Sequence, residues 1–324
     1  MDRLRIYVDF VLPARAMELL REGTRGHELL FPPAPATSVL AKPERDPQFL
    51  TAHVAFGQPD TECIAEAREL KWVHISTSGI TRYDTPEFRA IAARKGIPVT
   101  NSASVYAEAC AAHALSFMLG QARNLPRGLS TRTSNVTEEW HELRETSSVL
   151  RGESVLIVGY GAIGKRLAEL LRPFEVDLAG YRRRIRGDEE VRMVQAEALH
   201  EALGRQDHVV NILPQSPETF HFFEARRFAA MKTGAVFYNI GRGSTVDQDA
   251  LAEALRARRL RAAWLDVTDP EPLPDNHRLL KEPNCHITPH IAGGHRGEAL
   301  TQVRHFLGNL ERFVRGQPLR DRVM

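Results

Sequence analysis

Four short segments of this 324-residue chain carry side chains suited to chemistry. They are Leu213-Pro214-Gln215-Ser216-Pro217, Asn239-Ile240-Gly241-Arg242-Gly243, the stretch from Asp266 to Glu271-Pro272-Leu273, and Thr288-Pro289-His290. Arg242 offers a planar fork that can bind carboxylate and carbonyl oxygens. His290 is a proton donor suited to neutral pH. Glu271 would hold that imidazole in orientation and favour its protonated form through opposite charge. Upstream, Val155-Leu156-Ile157-Val158 runs straight into Gly159-Tyr160-Gly161-Ala162-Ile163-Gly164, a Gly-x-Gly-x-x-Gly loop. Glycine allows a tight turn and a close backbone approach, and the free N–H groups opening the following helix attract a diphosphate. Taken singly, each feature has an ordinary alternative: a turn, a surface arginine, a solvated glutamate, a strand-capping histidine.

What joins them is their place at the ends of strands. Four β-prone apolar residues precede the glycine loop, and Ile163, Leu167, Leu170 and Leu171 follow at helical spacing. Further strands are predicted over 176–181, 207–213, 235–240, 262–267 and 286–288, alternating with helices. The candidate residues then fall at carboxyl ends of strands in a doubly wound sheet, where ligands of open α/β folds bind. Residues 1–102 read as a smaller unit of the same kind, with strands over 5–10, 53–57, 72–76 and 97–101 and helices over 14–21 and 61–70. The proline-rich stretch 31–47 reads as irregular, because its prolines cannot join a ladder. A long alanine-rich helix is predicted over 104–123, a polar irregular segment over 124–151, and a last helix over 297–315 that returns to the first domain. The division expected is 1–103 completed by 292–324, and 104–291.

The dinucleotide loop, Gly-Arg-Gly, Asp-Val followed by Pro-Glu-Pro-Leu, and Thr-Pro-His occur together in one order. On these motifs the chain resembles the D-2-hydroxyacid dehydrogenases, the group that includes glyoxylate and hydroxypyruvate reductases, over nearly its whole length. The resemblance implies a Rossmann dinucleotide-binding domain, a smaller flavodoxin-like substrate domain and a homodimer joined through the 104–123 helix and the segment after it. It implies reversible reduction of a small 2-keto acid to a D-2-hydroxy acid, with Arg242, Glu271 and His290 catalytic. It also implies that backbone N–H groups of Ser78 and Gly79, in Ser76-Thr77-Ser78-Gly79, hold the substrate carboxylate beside Arg242. Asp266 matches the position that holds the nicotinamide amide. Gly159, Gly161, Ala162, Ile163, Gly164, Pro214 and Ile240 complete the cofactor contacts. Relatives commonly carry aspartate two residues after the Gly79 position; here Thr81 stands there, which leaves open how the loop is braced. A dinucleotide-sensing binding protein of the corepressor type shares this architecture and is the alternative. A formate dehydrogenase pairs the histidine with glutamine, and Glu271 departs from that.

Cofactor choice is readable further along. Sites that prefer NAD place an acid about 20 residues after the glycine loop, to bond the ribose 2′-hydroxyl. Here the second strand runs Gly180-Tyr181-Arg182-Arg183. Arg182 and Arg183 would pair with a 2′-phosphate, so NADP(H) is expected over NAD(H). The bulk numbers set bounds on the rest. With 43 basic and 41 acidic residues the net charge is only +2, so no global field recruits nucleic acid or an anionic membrane. No apolar run approaches the roughly 20 residues of a membrane span. Three cysteines without CxxC spacing suggest neither a metal site nor a disulfide framework, and point to the cytoplasm. His113, His208 and His221 read as structural or surface residues.

Overall fold

The structure, a computed structural model, describes residues 3–36, 45–131 and 137–324. In chain order the elements are β1 (Arg5–Val8), α1 (Ala14–Gly23), β2 (Glu28–Leu30), β3 (Val54–Gly57), α2 (Thr61–Glu66), β4 (Trp72–Ile75), α3 (Pro86–Lys95), β5 (Val99–Thr100) and α4 (Ala103–Ala122). There follow α5 (Leu125–Thr131), α6 (Glu138–Glu145), β6 (Ser154–Val158), α7 (Ala162–Leu171), β7 (Asp177–Tyr181), β8 (Arg192–Val194), α8 (Leu199–Leu203), β9 (His208–Asn211), α9 (Ala225–Ala230), β10 (Ala235–Asn239), α10 (Gln248–Arg256), β11 (Leu260–Leu265), β12 (Cys285–Ile287) and α11 (Glu298–Val314). Contacts divide the chain into two units, Met1–Tyr106 with Gly294–Met324 and Ala107–Gly293.

The smaller unit holds a parallel sheet in the order β2-β1-β3-β4-β5, the flavodoxin-like arrangement. One face is covered by α1 and α11: Val303, Phe306 and Leu310 of the last helix pack with Ile6, Val8 and Trp72. The Phe306 ring stacks on Phe56 with centroids 4.3 Å apart. The other face is closed by a core that includes Cys63, Ile64, Tyr83 and Phe88.

In the larger unit the parallel sheet runs β12-β11-β10-β9-β6-β7-β8. The first strand, β6, lies between β9 and β7, so the strand order reverses beside it, as in doubly wound nucleotide folds. Val155, Leu156, Ile157 and Val158 are all fully buried, which is why this strand reads as a continuous apolar run rather than an alternating one.

Three features depart from the sequence reading. Helix α3 and the edge strands β2 and β8 were not anticipated. The helix has clear signals: Thr85 accepts from Phe88 N, Pro86 opens the first turn, and Gly96 closes it in the left-handed region at φ 64°. The two edge strands have three residues each, too few for a period to show. The segment 124–151 is not simply irregular, since α5 and α6 form within it. The Thr137 hydroxyl caps α6 through Trp140 N, with Glu138 and Glu139 in its first turn and Arg144 in its last. Neither helix has a buried residue, so there is no apolar stripe for periodicity to find. Of the stretch 31–47, residues 37–44 lie outside the described residues. Among the described residues no helix is long and apolar enough to cross a membrane, and no cluster of His, Cys, Asp or Glu could hold a metal ion.

Candidate active site

The glycine loop follows β6 directly. Gly159 sits at φ 101°, and a Cβ there would lie 2.7 Å from the Ile212 carbonyl, so no other residue fits. The N–H groups of Gly159 and Tyr160 donate to Tyr181 O (2.9 and 3.0 Å), tying the turn to the neighbouring strand. Gly161 is the N-cap of α7 and no side chain caps this helix. The first-turn N–H groups of Ala162, Ile163 and Gly164 therefore open onto the space above the loop, as a diphosphate cradle requires.

At the end of β7, Arg182 is largely sequestered and Arg183 is solvent-facing, with 21% and 74% of their side chains exposed. Arg182 Nη1 donates to Glu189 Oε1 (3.2 Å), and the Arg186 and Gly187 N–H groups donate to the same carboxylate (2.8 Å each). Those backbone donors hold the Glu189 carboxyl below its usual range. Arg183 lies 3.9 Å from Glu218.

The exits of β9, β10, β11 and β12 bring the other candidates to one rim of this sheet. Pro214 is exposed just beyond β9, and its carbonyl accepts from Thr219 Oγ1 (2.6 Å). Ile240 is buried, its N–H donating to Asn211 O (3.1 Å). The Gly-Arg-Gly turn is not a loose surface loop. A Cβ on Gly243 would lie 2.0 Å from the Thr268 carbonyl, so the exits of β10 and β11 can pass this closely only with glycine. The Arg242 carbonyl accepts from Asn239 Nδ2 (3.1 Å) and Thr245 Oγ1 (2.6 Å), and its Nη1 donates to Gly241 O (2.7 Å). Burial presses the Arg242 guanidinium below the usual arginine range, with the charge of nearby Glu271 opposing the shift.

His290 Nδ1 and Glu271 Oε2 are 2.9 Å apart, with nearly half of each side chain exposed. Among the described residues Nε2 has no partner. His290 is held in the left-handed region at φ 52°, which costs a side-chain-bearing residue about 1–2 kcal/mol. Asp266 offsets that cost. Its carbonyl accepts from His290 N, Oδ1 accepts from Ile291 N and Oδ2 from Ala292 N, each at 2.9 Å. Thr288 Oγ1 adds a bond to Oδ1 at 2.6 Å. Asp266 is 1% exposed, and only Oδ2 keeps an acceptor position in reserve.

Of the three histidines set aside from sequence, His208 is buried between Tyr238 Oη and Glu153, and His221 stacks on Phe220. His113, on α4, lies beside the Asp266 and Thr288 side chains. Its Nε2 is 3.2 Å from Thr288 Oγ1 and 3.6 Å from Asp266 Oδ1. Burial holds its imidazole below the usual value, against the pull of Asp266. No short-range pattern links positions so far apart in the chain, which is why sequence did not show it.

Ser78 and Gly79 lie in the smaller unit, in the loop leaving β4. Every carbonyl of Ser76 to Gly79 is turned into the protein. Ser76 O accepts from Tyr106 Oη and Gln302 Nε2 (3.2 Å each), Thr77 O from Ser102 N (3.0 Å), Ser78 O from Asn101 Nδ2 (2.7 Å) and Gly79 O from Thr77 Oγ1 (2.7 Å). In a trans peptide the N–H points opposite to the C=O. The N–H groups of Thr77, Ser78, Gly79 and Ile80 thus face away from those partners, and among the described residues no acceptor meets them. A row of unmet donors is what an anionic ligand needs.

Comparison with known proteins follows the same lines. The family model described as "D-isomer specific 2-hydroxyacid dehydrogenase, NAD binding domain" matches residues 115–292. The chain is similar to a glyoxylate reductase/hydroxypyruvate reductase of Homo sapiens, 34% identical over 79% of this chain and 77% of that protein. It is similar to a glyoxylate reductase of Thermofilum pendens, 31% identical over 90% of this chain and 86% of the other. Among solved structures it is similar to an NADPH-dependent glyoxylate/hydroxypyruvate reductase of Sinorhizobium meliloti in complex with NADP and malonate. The TM-score is 0.71 at 26% identity, over 99% of this chain and 97% of that one.

Proposed function

The chain belongs to the D-isomer specific 2-hydroxyacid dehydrogenase family, and we propose that it reduces a small 2-keto acid to the D-2-hydroxy acid with NADPH, reversibly. The observation that carries this reading is the 2.9 Å His290–Glu271 pair, with the half-buried Arg242 within electrostatic reach of Glu271. When bound, the dinucleotide supplies the hydride to the carbon of the keto group. The Gly159 turn and the uncapped start of α7 suit its diphosphate, and Asp266 Oδ2 has room for one donor from the carboxamide. Pro214 and Ile240 line the same rim. Arg242 binds the carboxylate and the keto oxygen, and the Ser78 and Gly79 N–H groups hold the carboxylate. His290 Nε2 delivers a proton to the keto oxygen as negative charge develops there. Glu271 accepts from Nδ1–H, fixing the tautomer and favouring the imidazolium.

Arg182 and Arg183 support NADPH over NADH, since a carboxylate at that strand end would repel a 2′-phosphate. The Sinorhizobium relative is itself NADPH-dependent. We assign a homodimer contact to α4 and the segment after it, where Leu125 and Leu129 of α5 and Val149 beyond α6 are exposed. Three cysteines without CxxC spacing fit a reducing cytoplasm. Steady-state rates with NADPH and NADH over glyoxylate, hydroxypyruvate, pyruvate and phenylpyruvate test the reading. Absence of NADPH oxidation with all four overturns the reductase. A higher kcat/KM with NADH overturns the cofactor choice, and Arg182→Asp is expected to lower the NADPH preference at least about tenfold.

A further inference from the structure

The outward donor row of Thr77 to Ile80 is held by a relay that crosses three adjacent strand ends. β3 lies between β1 and β4 in the smaller sheet, so Asp9, Gln58 and the Thr77 loop follow neighbouring strands. The Asp9 carboxylate accepts from the Gln58 N–H with both oxygens at 2.9 Å. Gly57 makes this possible: a Cβ there would lie 1.8 Å from Asp9 Oδ1. Gln58 Nε2 then donates to Thr77 Oγ1 at 2.7 Å. A hydroxyl has one proton, and Thr77 spends it on Gly79 O, so the amide of Gln58 fixes the direction of that proton. Thr81, where relatives commonly carry aspartate, is exposed and opens a short 3-10 turn. Bracing comes instead from Gln58 on one side of the loop and Asn101 on the other.

We propose that Gln58 is a positioning residue for the substrate carboxylate, acting through Thr77 to keep the Gly79 carbonyl inward and the loop N–H groups aimed at the anion. This rests on the assignment of the Ser78–Gly79 loop to the substrate carboxylate. The test is a double-mutant cycle of Gln58→Ala and Thr77→Val, read by keto-acid kinetics and by titration of the NADPH complex with oxamate, an unreactive 2-keto acid analogue. Each single variant is expected to raise the keto-acid KM and the oxamate Kd about tenfold, the worth of one well-placed hydrogen bond. Changes in kcat should stay below about threefold and the NADPH KM should not move, a split that general loosening of the fold would not produce. The double variant should be no worse than the poorer single one, because both break one relay. Thr77→Ser, which keeps the hydroxyl, should recover the affinity that Thr77→Val loses. Unchanged oxamate binding in both single variants, or an equal rise in the NADPH KM, overturns the proposal. If the native protein turns over no keto acid, the proposed reaction falls. Oxamate binding still decides the relay, and failure of the native protein to bind oxamate overturns it.

Discussion

The Gly-Arg-Gly turn of the larger unit and the Ser-Thr-Ser-Gly loop of the smaller one both present groups suited to an anion, and they are held in place by different means. Around Arg242 the backbone of one strand exit passes against the next at a distance that tolerates no Cβ on Gly243. Around Ser78 the backbone is held by side chains arriving from Gln58, Asn101, Tyr106 and Gln302. Steric fit is unforgiving, and its loss misplaces everything nearby. A hydrogen-bond relay gives way by about 1 kcal/mol per bond. Substitutions in the larger unit should therefore cost more than matched ones in the smaller unit, and should strike chemistry rather than anchoring.

The largest effect is expected at His290. His290→Ala removes the proposed proton donor and should lower kcat by about 10²–10⁴-fold, while the NADPH Kd from fluorescence titration stays near native. A loss confined to KM would place the chemistry elsewhere. Gly243→Ala comes next. The new methyl meets the Thr268 carbonyl, backbone against backbone, so one exit must move. A loss of about 3 kcal/mol in urea unfolding and about a 10²-fold fall in kcat/KM are expected, since small misplacements of Arg242 are costly. If Gly243→Ala proves milder than Thr77→Val, the contrast between the two loops fails.

The same contrast explains what the sequence showed. The steric site needs glycine at fixed positions, and Gly159, Gly164, Gly241 and Gly243 stand together with the residues they serve. The strands of the larger sheet were legible for a related reason: both faces are buried, and strands such as β6 and β10 read as apolar runs. The relay was not legible. Gln58, Thr77 and Asn101 are ordinary polar residues whose partners lie 19 to 49 positions away, and the neighbouring of β1, β3, β4 and β5 brings them together. His113 was missed likewise, because its partners Thr288 and Asp266 lie just past the ends of strands far along the chain. Helix α3 was a different failure, for its Thr-Pro cap and closing Lys95-Gly96 were present to be read.

The two strand-end carboxylates carry the comparison to single groups. Asp266 is 1% exposed and gathers three donors, two of them N–H groups of the chain just after His290. Asp266→Ala would strip those donors of this acceptor, the buried Ala292 N–H among them. An expected loss of about 2 kcal/mol in unfolding free energy, with a lowered kcat, follows from the freed His290 backbone. Unchanged stability would show that the left-handed His290 turn is held by other contacts.

Asp9 should respond with the opposite sign. Its carboxylate accepts from the Gln58 N–H, and burial lifts it from 3.8 to about 6, with Gln58 and Arg82 pulling the other way. The native state therefore binds the Asp9 proton more tightly than the unfolded chain. Its contribution to stability is complete below about pH 4 and is lost as pH rises through about 6. At pH 7 the ionised group is a net burden on the smaller unit. Asp9→Asn cannot ionise and keeps an oxygen for the Gln58 N–H, so it should gain about 1 kcal/mol at pH 7 and nothing at pH 4. Urea unfolding at the two pH values measures the difference. A loss at pH 7 as large as that of Asp266→Ala would mean that the charge of Asp9, and not only its oxygen, holds Gln58, and the two units would then be braced alike.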